Sequence, residues 1–397
     1  MDIASKRATD IQPFIVMDVL EKAVAMQNRG IDIIHLEVGE PDFNTPECIQ
    51  EGALKALAGN KTHYTHSLGI MELRQAIAGH YRKRYKVGLD PEQIMISAGS
   101  SPAMLLLFSA LLEEGDEVIV SDPCYSCYLN FIKFAGGKPV SVAVSETDAF
   151  QYKPEDIAAR LSPQSKAIVI NSPANPTGQL LSPERMQAIA ALADGKNGPP
   201  YVVSDEIYHG LIYDKQRDHC ILEFTPHAFV LGGFSKLQAM TGWRLGYLIA
   251  PPAFIRPLQK MHQNFAICAP SISQWAALEI FRQPERVGED IKNMLTEYDR
   301  RRLRLVQGLR DLGFSIPVAP QGAFYVFTRC DHLNPNDYDL AFHILEHAHV
   351  AVTPGRDFGP GGHGFIRLSY ANSLENIEEA LKRLKAYLKE FYPSQAG

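Results

Sequence analysis

Short apolar runs alternate with helical patterns through the middle of the chain. Continuous runs rich in Val and Ile are typical of strands buried on both faces of a sheet. These runs are Glu117–Val120, Ala167–Ile170, Tyr201–Val203, Phe229–Leu231 and Gly246–Ile249. Helical stretches lie between them, and one starts where Ser182 precedes Pro183, a favoured helix start. The pattern predicts an α/β fold with a mostly parallel sheet flanked by helices.

The pattern changes beyond residue 285, where charged amphipathic helices replace the apolar runs. The helices and strands predicted there are Asp290–Leu312, Ala323–Phe327, Phe365–Leu368 and Leu374–Tyr392. A further helix, Phe14–Arg29, can pack with this part of the chain. We therefore predict a large domain formed by residues 46–284, and a smaller α+β domain formed by residues 1–45 and 285–397.

Charge and composition narrow the classes of partner. The 397 residues include 39 Lys and Arg against 45 Asp and Glu, which gives a net charge of −6. This mild acidity argues against a dedicated nucleic-acid-binding protein, which would carry a basic face. The most apolar stretch, Ala103–Leu112, is too short to span a bilayer, and Met1–Asp10 shows no signal-peptide pattern. We expect a soluble cytoplasmic protein with no nucleic-acid or membrane partner.

Chemically useful side chains follow four of the predicted strands. Tyr125 follows the first run, Asn175 the second, Asp205 the third and Lys236 the fourth. In an open α/β sheet the ligand binds beyond the carboxyl ends of the strands, so these side chains are expected to converge. Each could also have a structural role, as a helix cap, a turn residue or a solvated lysine. Four such side chains at one edge of the sheet favour a binding site.

A phosphate site is predicted just before the first of these strands. Gly99, Ser100 and Ser101 precede the apolar helix Ala103–Leu112, and helix N-termini bind anions. The segment lacks the pattern of a P-loop or of a dinucleotide fingerprint, which favours a single phosphate. A lysine can form a covalent bond with an aldehyde, and a carboxylate can keep a pyridine nitrogen protonated. Together these groups point to one cofactor chemistry.

Other motifs carry weaker signals. Cys124 and Cys127 form a C-x-x-C pair, which suits a redox pair or half of a zinc site. The other cysteines are scattered singly, so a zinc site would lack its remaining ligands. Two histidine pairs are similarly isolated: His63 with His66, and His347 with His349. We interpret these residues as structural and predict no metal site.

The lysine region resembles a known family. Gly233–Gly246, GFSKLQAMTGWRLG, is similar to the lysine signature of class I/II pyridoxal-phosphate-dependent aminotransferases, which have fold type I. Further matching segments follow the family's order along the whole chain: Val38–Phe43, Tyr64–Gly69, Asn171–Gly178, Ser204–Tyr208 and Ile366–Tyr370. The resemblance implies a large domain with a sheet of the seven-stranded type, a smaller α+β domain, and a homodimer with shared active sites.

The resemblance also implies roles for the residues at the strand ends. Lys236 would carry pyridoxal 5′-phosphate and then act as general acid and base. Asp205 would pair with the pyridinium nitrogen. Tyr208 and Asn175 would hydrogen-bond the ring hydroxyl, and Tyr125 would stack on the ring.

Phosphate and substrate contacts are implied in the same way. The residues expected around the phosphate are Gly99, Ser100, Ser101, Ser235 and Arg244, with Tyr64 reaching in from the partner subunit. Arg367 would bind the substrate α-carboxylate through its planar fork, with Gly39 beside it and Asn175 also in contact with the substrate. By the same resemblance, the Asp122–Pro123 and Asn175–Pro176 peptide bonds are expected to be cis.

The sequence departs from the family at three places. Gly233 stands where many relatives have a serine, so one phosphate contact is expected to be missing. Ser101 stands where dicarboxylate-specific bacterial relatives have a lysine, and Pro13–Met17 is apolar where relatives often carry Ser and Thr. We expect an L-amino acid donor with a neutral or apolar side chain, and a 2-oxo acid acceptor such as 2-oxoglutarate or pyruvate.

Other activities remain compatible with the sequence to different degrees. A C–S β-lyase on the same fold would use the same Lys236 and Asp205 but would eliminate at Cβ. A non-catalytic aminotransferase-like regulator would need an added DNA-binding domain, for which the chain shows no basic module. A nicotinamide-dependent dehydrogenase would need the dinucleotide fingerprint that is missing here.

Overall fold

A seven-stranded sheet forms the centre of the molecule. The computed structural model describes residues 4–194, 198 and 200–393. The strands of this sheet are β2 (Ile94–Ser97), β3 (Glu117–Asp122), β4 (Lys138–Ala143), β5 (Ser165–Asn171), β6 (Tyr201–Asp205), β7 (Ala228–Gly233) and β8 (Gly246–Ile249). Their order across the sheet is β2-β8-β7-β6-β5-β3-β4; the pairings of β8 with β2 and β7 are antiparallel, and the other four pairings are parallel. The predicted mostly parallel α/β sheet is confirmed.

Two strands of this sheet were not predicted from the sequence. Strand β4 lies at the edge and contains only exposed or partly buried residues apart from Val142, so it lacks a continuous apolar run. Strand β2 has only four residues before the turn at Gly99. All four residues of β2 are buried, but so short an apolar run does not by itself distinguish a strand from a buried helix segment.

Helices cover both faces of the sheet. The helices of the described chain are α1 (Lys6–Asp10), α2 (Ile15–Gln27), α3 (Glu47–Ala58), α4 (Met71–Tyr85), α5 (Ser100–Leu111), α6 (Cys127–Phe134), α7 (Pro154–Ala158), α8 (Pro183–Leu192), α9 (Pro252–Phe265), α10 (Ser271–Arg282), α11 (Pro284–Asp311), α12 (Asp337–Ala348) and α13 (Leu374–Phe391). Alternate strand residues point to opposite faces. Thus Ile168 packs in one apolar cluster with α3, α4, α8 and α10, while Val169 packs in another with α5, α6 and α9. The Ser182 side chain accepts a hydrogen bond from the Arg185 amide and caps α8, as predicted.

A second, smaller set of strands packs with α11, α12 and α13. It consists of β1 (Ile34–His35), β9 (Tyr325–Arg329), β10 (Val350–Ala351), β11 (Thr353–Pro354) and β12 (Phe365–Ser369). Strand β12 lies between β11 and β9 and is antiparallel to both, and β1 pairs with β10. Val19 and Met26 of α2 pack against Leu345 and Ala351, so the N-terminal helix contacts this part of the molecule. The exact domain boundaries remain a prediction.

Three parallel strands end at the same edge of the large sheet and bring the predicted residues together. Strand β5 ends at Asn171, β6 at Asp205 and β7 at Gly233. The Asp122–Pro123 and Asn175–Pro176 peptide bonds are cis, as predicted, and Ser172–Pro173 is cis as well. Within the described residues, no helix is both long and apolar enough to cross a membrane.

Candidate active site

The edge of the large sheet opens into a cavity of about 430 Å³. Most of the predicted site residues line it: Gly39, Ser100, Ser101, Tyr125, Asn175, Asp205, Tyr208, Ser235, Lys236, Arg244 and Arg367. Gly99 directly precedes the serines. Tyr64 is not part of this cavity, and 79% of its surface is exposed. A single chain therefore brings together every predicted site residue except Tyr64.

Lys236 projects into the cavity three residues after β7 ends. Its Nζ donates a hydrogen bond to the Gly39 carbonyl at 2.7 Å and lies 5.9 Å from the centre of the Tyr208 ring. Burial lowers the pKa of the amine to about 8, because the charged form loses its hydration. A sizeable fraction of this amine is neutral near physiological pH, and a neutral amine can act as nucleophile or base.

Asp205, the last residue of β6, is buried on the floor of the cavity. Its Oδ2 accepts a hydrogen bond from the Tyr128 hydroxyl at 2.7 Å, and its Oδ1 accepts one from the Ile207 amide at 3.3 Å. Burial raises the pKa of this carboxyl, while these two hydrogen bonds lower it. Such a carboxylate attracts a cation or a protonated ring nitrogen. Sequence reasoning missed Tyr128, although it follows Tyr125 by three residues, close to one helical turn.

A pair of hydrogen-bonded tyrosines also lines the cavity. The hydroxyls of Tyr208 and Tyr325 are 2.8 Å apart, and burial raises the pKa of Tyr208 well above its usual range. A Cβ atom on Gly39 would lie only 1.8 Å from the Tyr325 hydroxyl oxygen, so glycine is required for this close approach. Sequence reasoning missed Tyr325, which lies inside the predicted strand Ala323–Phe327.

Arg367 of β12 also lines the cavity and is held from several sides. Its Nη1 donates to Oδ1 of Asn175 at 2.8 Å, and its Nη2 donates to Oγ1 of Thr353 at 3.2 Å. The guanidinium carbon lies 4.3 Å from the centre of the Tyr325 ring. Its Nε is buried and has no hydrogen-bond partner among the described residues. This oriented cation with a spare N–H suits a carboxylate ligand.

The N-terminus of α5 forms a third polar region of the cavity. Gly99 has φ of +106° and precedes Ser100, the first residue of the helix. A Cβ atom on Gly99 would lie 2.9 Å from Nη2 of Arg244, so glycine keeps the space between the arginine and the helix end open. Amide groups at a helix start, the serine hydroxyls and an arginine together suit a phosphate.

An apolar wall closes the cavity beside these polar groups. Phe14, Val16, Met17 and Met104 line it, and the Phe14 ring lies edge-on to Tyr125 with 6.1 Å between ring centres. Sequence reasoning noted the apolar character of Pro13–Met17, but the structure is needed to place it at the site.

Gly233 lies outside this lining, at the end of β7. A Cβ atom there would approach Cδ1 of Ile207 to 2.8 Å and Cα of Gly246 to 3.4 Å. A serine at this position would therefore require Ile207 to move. The close packing gives a physical reason for glycine here, whatever its effect on phosphate binding.

Comparison with known proteins agrees with this geometry. The family model "Aminotransferase class I and II" matches residues 31–384. The chain belongs to this family. It is therefore a transaminase, and its cofactor is pyridoxal 5′-phosphate, as the lysine region indicated.

Named relatives of this aminotransferase extend over nearly its whole length. A (5-formylfuran-3-yl)methyl phosphate transaminase of Methanocaldococcus jannaschii is 41% identical over 97% of this chain and 100% of its own. An aspartate/prephenate aminotransferase of Thermus thermophilus is 38% identical over 97% of this chain and 98% of its own. The Thermus thermophilus aspartate aminotransferase solved with maleate superposes with a TM-score of 0.92, at 37% identity, and covers 97% of this chain and 99% of its own.

The residues of this aminotransferase fit the cofactor. The α5 N-terminus with Arg244 provides a cradle for a phosphate, and glycine at position 99 keeps it open. Asp205 is a buried carboxyl of the kind that pairs with a protonated ring nitrogen, and Lys236 is a buried amine of the kind that condenses with an aldehyde. Among the described residues, no group of three or more His, Cys, Asp or Glu could hold a metal ion.

Proposed function

We propose that this aminotransferase transfers the amino group of an L-amino acid with a neutral or apolar side chain to a 2-oxo acid such as 2-oxoglutarate or pyruvate. The observation that supports this donor class is the apolar wall of Phe14, Val16, Met17 and Met104 in the same cavity as Arg367. An apolar side chain buried there gains roughly 25 cal/mol per Å². A second carboxylate would lose its hydration against the same side chains.

Each cavity residue has a proposed role. Pyridoxal phosphate, when bound, supplies an aldehyde for the substrate amine and a ring that withdraws electrons from the substrate α-carbon. Lys236 would hold the cofactor and then move the proton at the α-carbon, which suits its lowered pKa of about 8. Asp205 would keep the ring nitrogen protonated, and Tyr208 and Asn175 would hydrogen-bond the ring hydroxyl.

The remaining residues would orient the two ligands. Arg367 would hold the substrate α-carboxylate, since its guanidinium is fixed by Asn175 and Thr353 and keeps a spare N–H. The phosphate would bind Ser100, Ser101, Ser235 and Arg244 at the start of α5. Tyr125 would cover one face of the ring, and the apolar wall would exclude water from the reacting carbon.

We also propose that the active enzyme is a homodimer and that Tyr64 acts in the partner's site. The loop of Tyr64 packs on α9 and α10: Gln274 donates to Thr65 at 3.0 Å, and His262 Nδ1 lies 2.7 Å from the Ser67 carbonyl. Phe265, at the end of α9, is 74% exposed. Aromatic side chains are enriched at subunit interfaces, so two exposed ones, Tyr64 and Phe265, on segments that pack together support a dimer contact here.

A half-reaction screen tests the donor class. The holoenzyme is mixed with single amino acids, and the change in cofactor absorbance is followed for alanine, valine, leucine, methionine, phenylalanine, glutamate and aspartate. We expect the neutral and apolar amino acids to react faster than aspartate. Aspartate reacting far faster than all of them would contradict the proposal. Pyruvate released from cystathionine without an added 2-oxo acid would identify the β-lyase instead.

A further inference from the structure

Helix α2 starts without a capping side chain of its own. Phe14 occupies the N-cap position and makes no side-chain cap hydrogen bond, and Pro13 precedes it. The first amides of a helix have no partner within the helix and need an acceptor from elsewhere. The need matters here because the first turn of α2 forms the apolar wall of the active site.

Asp357 supplies this acceptor from the other end of the chain. Its Oδ1 accepts a hydrogen bond from the Ile15 amide at 2.8 Å, across 342 residues of sequence. Only 5% of the residue is exposed, and the amides of both Ile15 and Val16 lower the pKa of its carboxyl. A carboxylate at this position also interacts favourably with the helix dipole.

Apart from these amides, the buried surroundings of Asp357 disfavour the ionised form of its carboxyl. Burial raises the pKa of its carboxyl to about 6, with a further small rise from Asp18, while Arg367 and the two amides lower it. Its Oδ2 has no hydrogen-bond partner among the described residues. The Ile15 amide is therefore the main hydrogen-bonding contact that holds this buried side chain in place.

Asp357 lies in a short 3-10 helix, Gly355–Phe358, which also contacts the substrate arginine. Phe358, the next residue, places its ring centre 4.9 Å from the Arg367 guanidinium carbon. Val19 and Met26, further along α2, are fixed by apolar contacts with Leu345 and Ala351. The first turn lies outside that apolar cluster. Phe14 contacts Tyr125, and Gln12 exchanges two hydrogen bonds with Asn130, so the start of the helix is held on that side. The cap ties the first turn to the short helix beside Arg367.

We propose that Asp357 is a positioning residue that caps α2 and thereby fixes the apolar wall relative to Arg367. It sets how tightly the site binds a donor with an apolar side chain. This effect on the donor rests on the proposed function, whereas the cap itself does not.

Hydrogen exchange of the holoenzyme, followed by mass spectrometry, tests the cap. In Asp357→Ala, we expect exchange in peptides that cover the first turn of α2 to be about 5- to 30-fold faster, the usual effect of a lost cap. Asp357→Asn keeps an oxygen acceptor and should exchange at close to the wild-type rate. Asp18→Ala removes a charge from the same turn without removing the cap, and is the matched control.

Peptides from β5 and β6 report whether each variant is folded. If the alanine variant does not fold, Asp357→Ser replaces it, because that side chain fills part of the space without reaching the amide. If a folded alanine or serine variant exchanges in the first turn at the wild-type rate, Asp357 does not cap α2.

Steady-state kinetics test the consequence for binding. In Asp357→Ala we expect KM for the best apolar donor from the half-reaction screen to rise about 5- to 30-fold, with a much smaller change in kcat. In Asp357→Asn we expect KM to stay close to that of the wild type. Faster exchange with an unchanged KM would overturn the claim that the cap positions the donor-binding wall. A screen that favours aspartate would contradict the proposed donor class but would leave the exchange result standing.

Discussion

The Tyr128 hydroxyl donates a hydrogen bond to Oδ2 of Asp205 at 2.7 Å. Both residues are buried, and the bond lowers the pKa of a carboxyl that burial raises. Tyr128 thus helps to keep Asp205 ionised in a place that disfavours charge. The relationship links α6 to the end of β6 beneath the proposed position of the cofactor ring.

Removal of this hydroxyl should lower the catalytic activity without unfolding the protein. Hydrogen bonds to charged groups contribute about 1.5–3 kcal/mol, so we expect Tyr128→Phe to lower kcat/KM by about 10-fold or more. Steady-state kinetics measure the loss. Tyr81→Phe is the control, because it also removes a buried tyrosine hydroxyl, one that lies 3.2 Å from Tyr247 outside the cavity. Equal losses in both variants would contradict a specific role for Tyr128.

The amine of Lys236 should become reactive at an unusually low pH in the cofactor-free protein. Its pKa is lowered to about 8 from 10.5, so the neutral amine fraction rises roughly tenfold between pH 7 and 9 and levels off above that. Labelling by acetic anhydride, followed by mass spectrometry of the Lys236 peptide, measures this fraction. Lys138 on the surface serves as the reference for reagent decay. A labelling midpoint near 10.5 would show that burial does not lower this pKa.

The sequence predicts those parts of the site that depend on local order along the chain. Asn175, Asp205 and Lys236 each follow an apolar run, and parallel strands bring such residues to one edge whatever the loops between them do. The proposed phosphate site at the N-terminus of α5 is predicted because Gly99 and Ser100 are neighbours in sequence as well as in space.

Contacts between distant segments could not be predicted in this way. The Tyr208–Tyr325 pair spans 117 residues, and the cap of Ile15 by Asp357 spans 342. Such pairs depend on how helices and the second set of strands pack on the first sheet, and periodicity within one segment carries no information about that. The edge strand β4 was missed because its exposed side interrupts the apolar pattern.

Substitution of Arg367 by lysine should impair donor binding although the charge is kept. Lysine cannot reproduce the planar fork that Asn175 and Thr353 orient, so we expect KM for the donor to rise about 10- to 100-fold. The matched control is Arg329→Lys in the neighbouring strand β9, whose side chain is 38% exposed. An unchanged KM in Arg367→Lys would contradict a contact between this residue and the α-carboxylate.

A mixing experiment tests whether Tyr64 acts in the partner's site. Tyr64→Ala and Lys236→Ala are purified separately, each with little activity, and are then unfolded and refolded together. If sites are shared, a mixed dimer contains one complete site, formed by Lys236 of one subunit and Tyr64 of the other. Random pairing makes half of the dimers mixed, so about a quarter of wild-type activity should return. Activity no higher than the mean of the two variants would show that Tyr64 does not complete the neighbouring site, and each variant refolded alone provides that baseline.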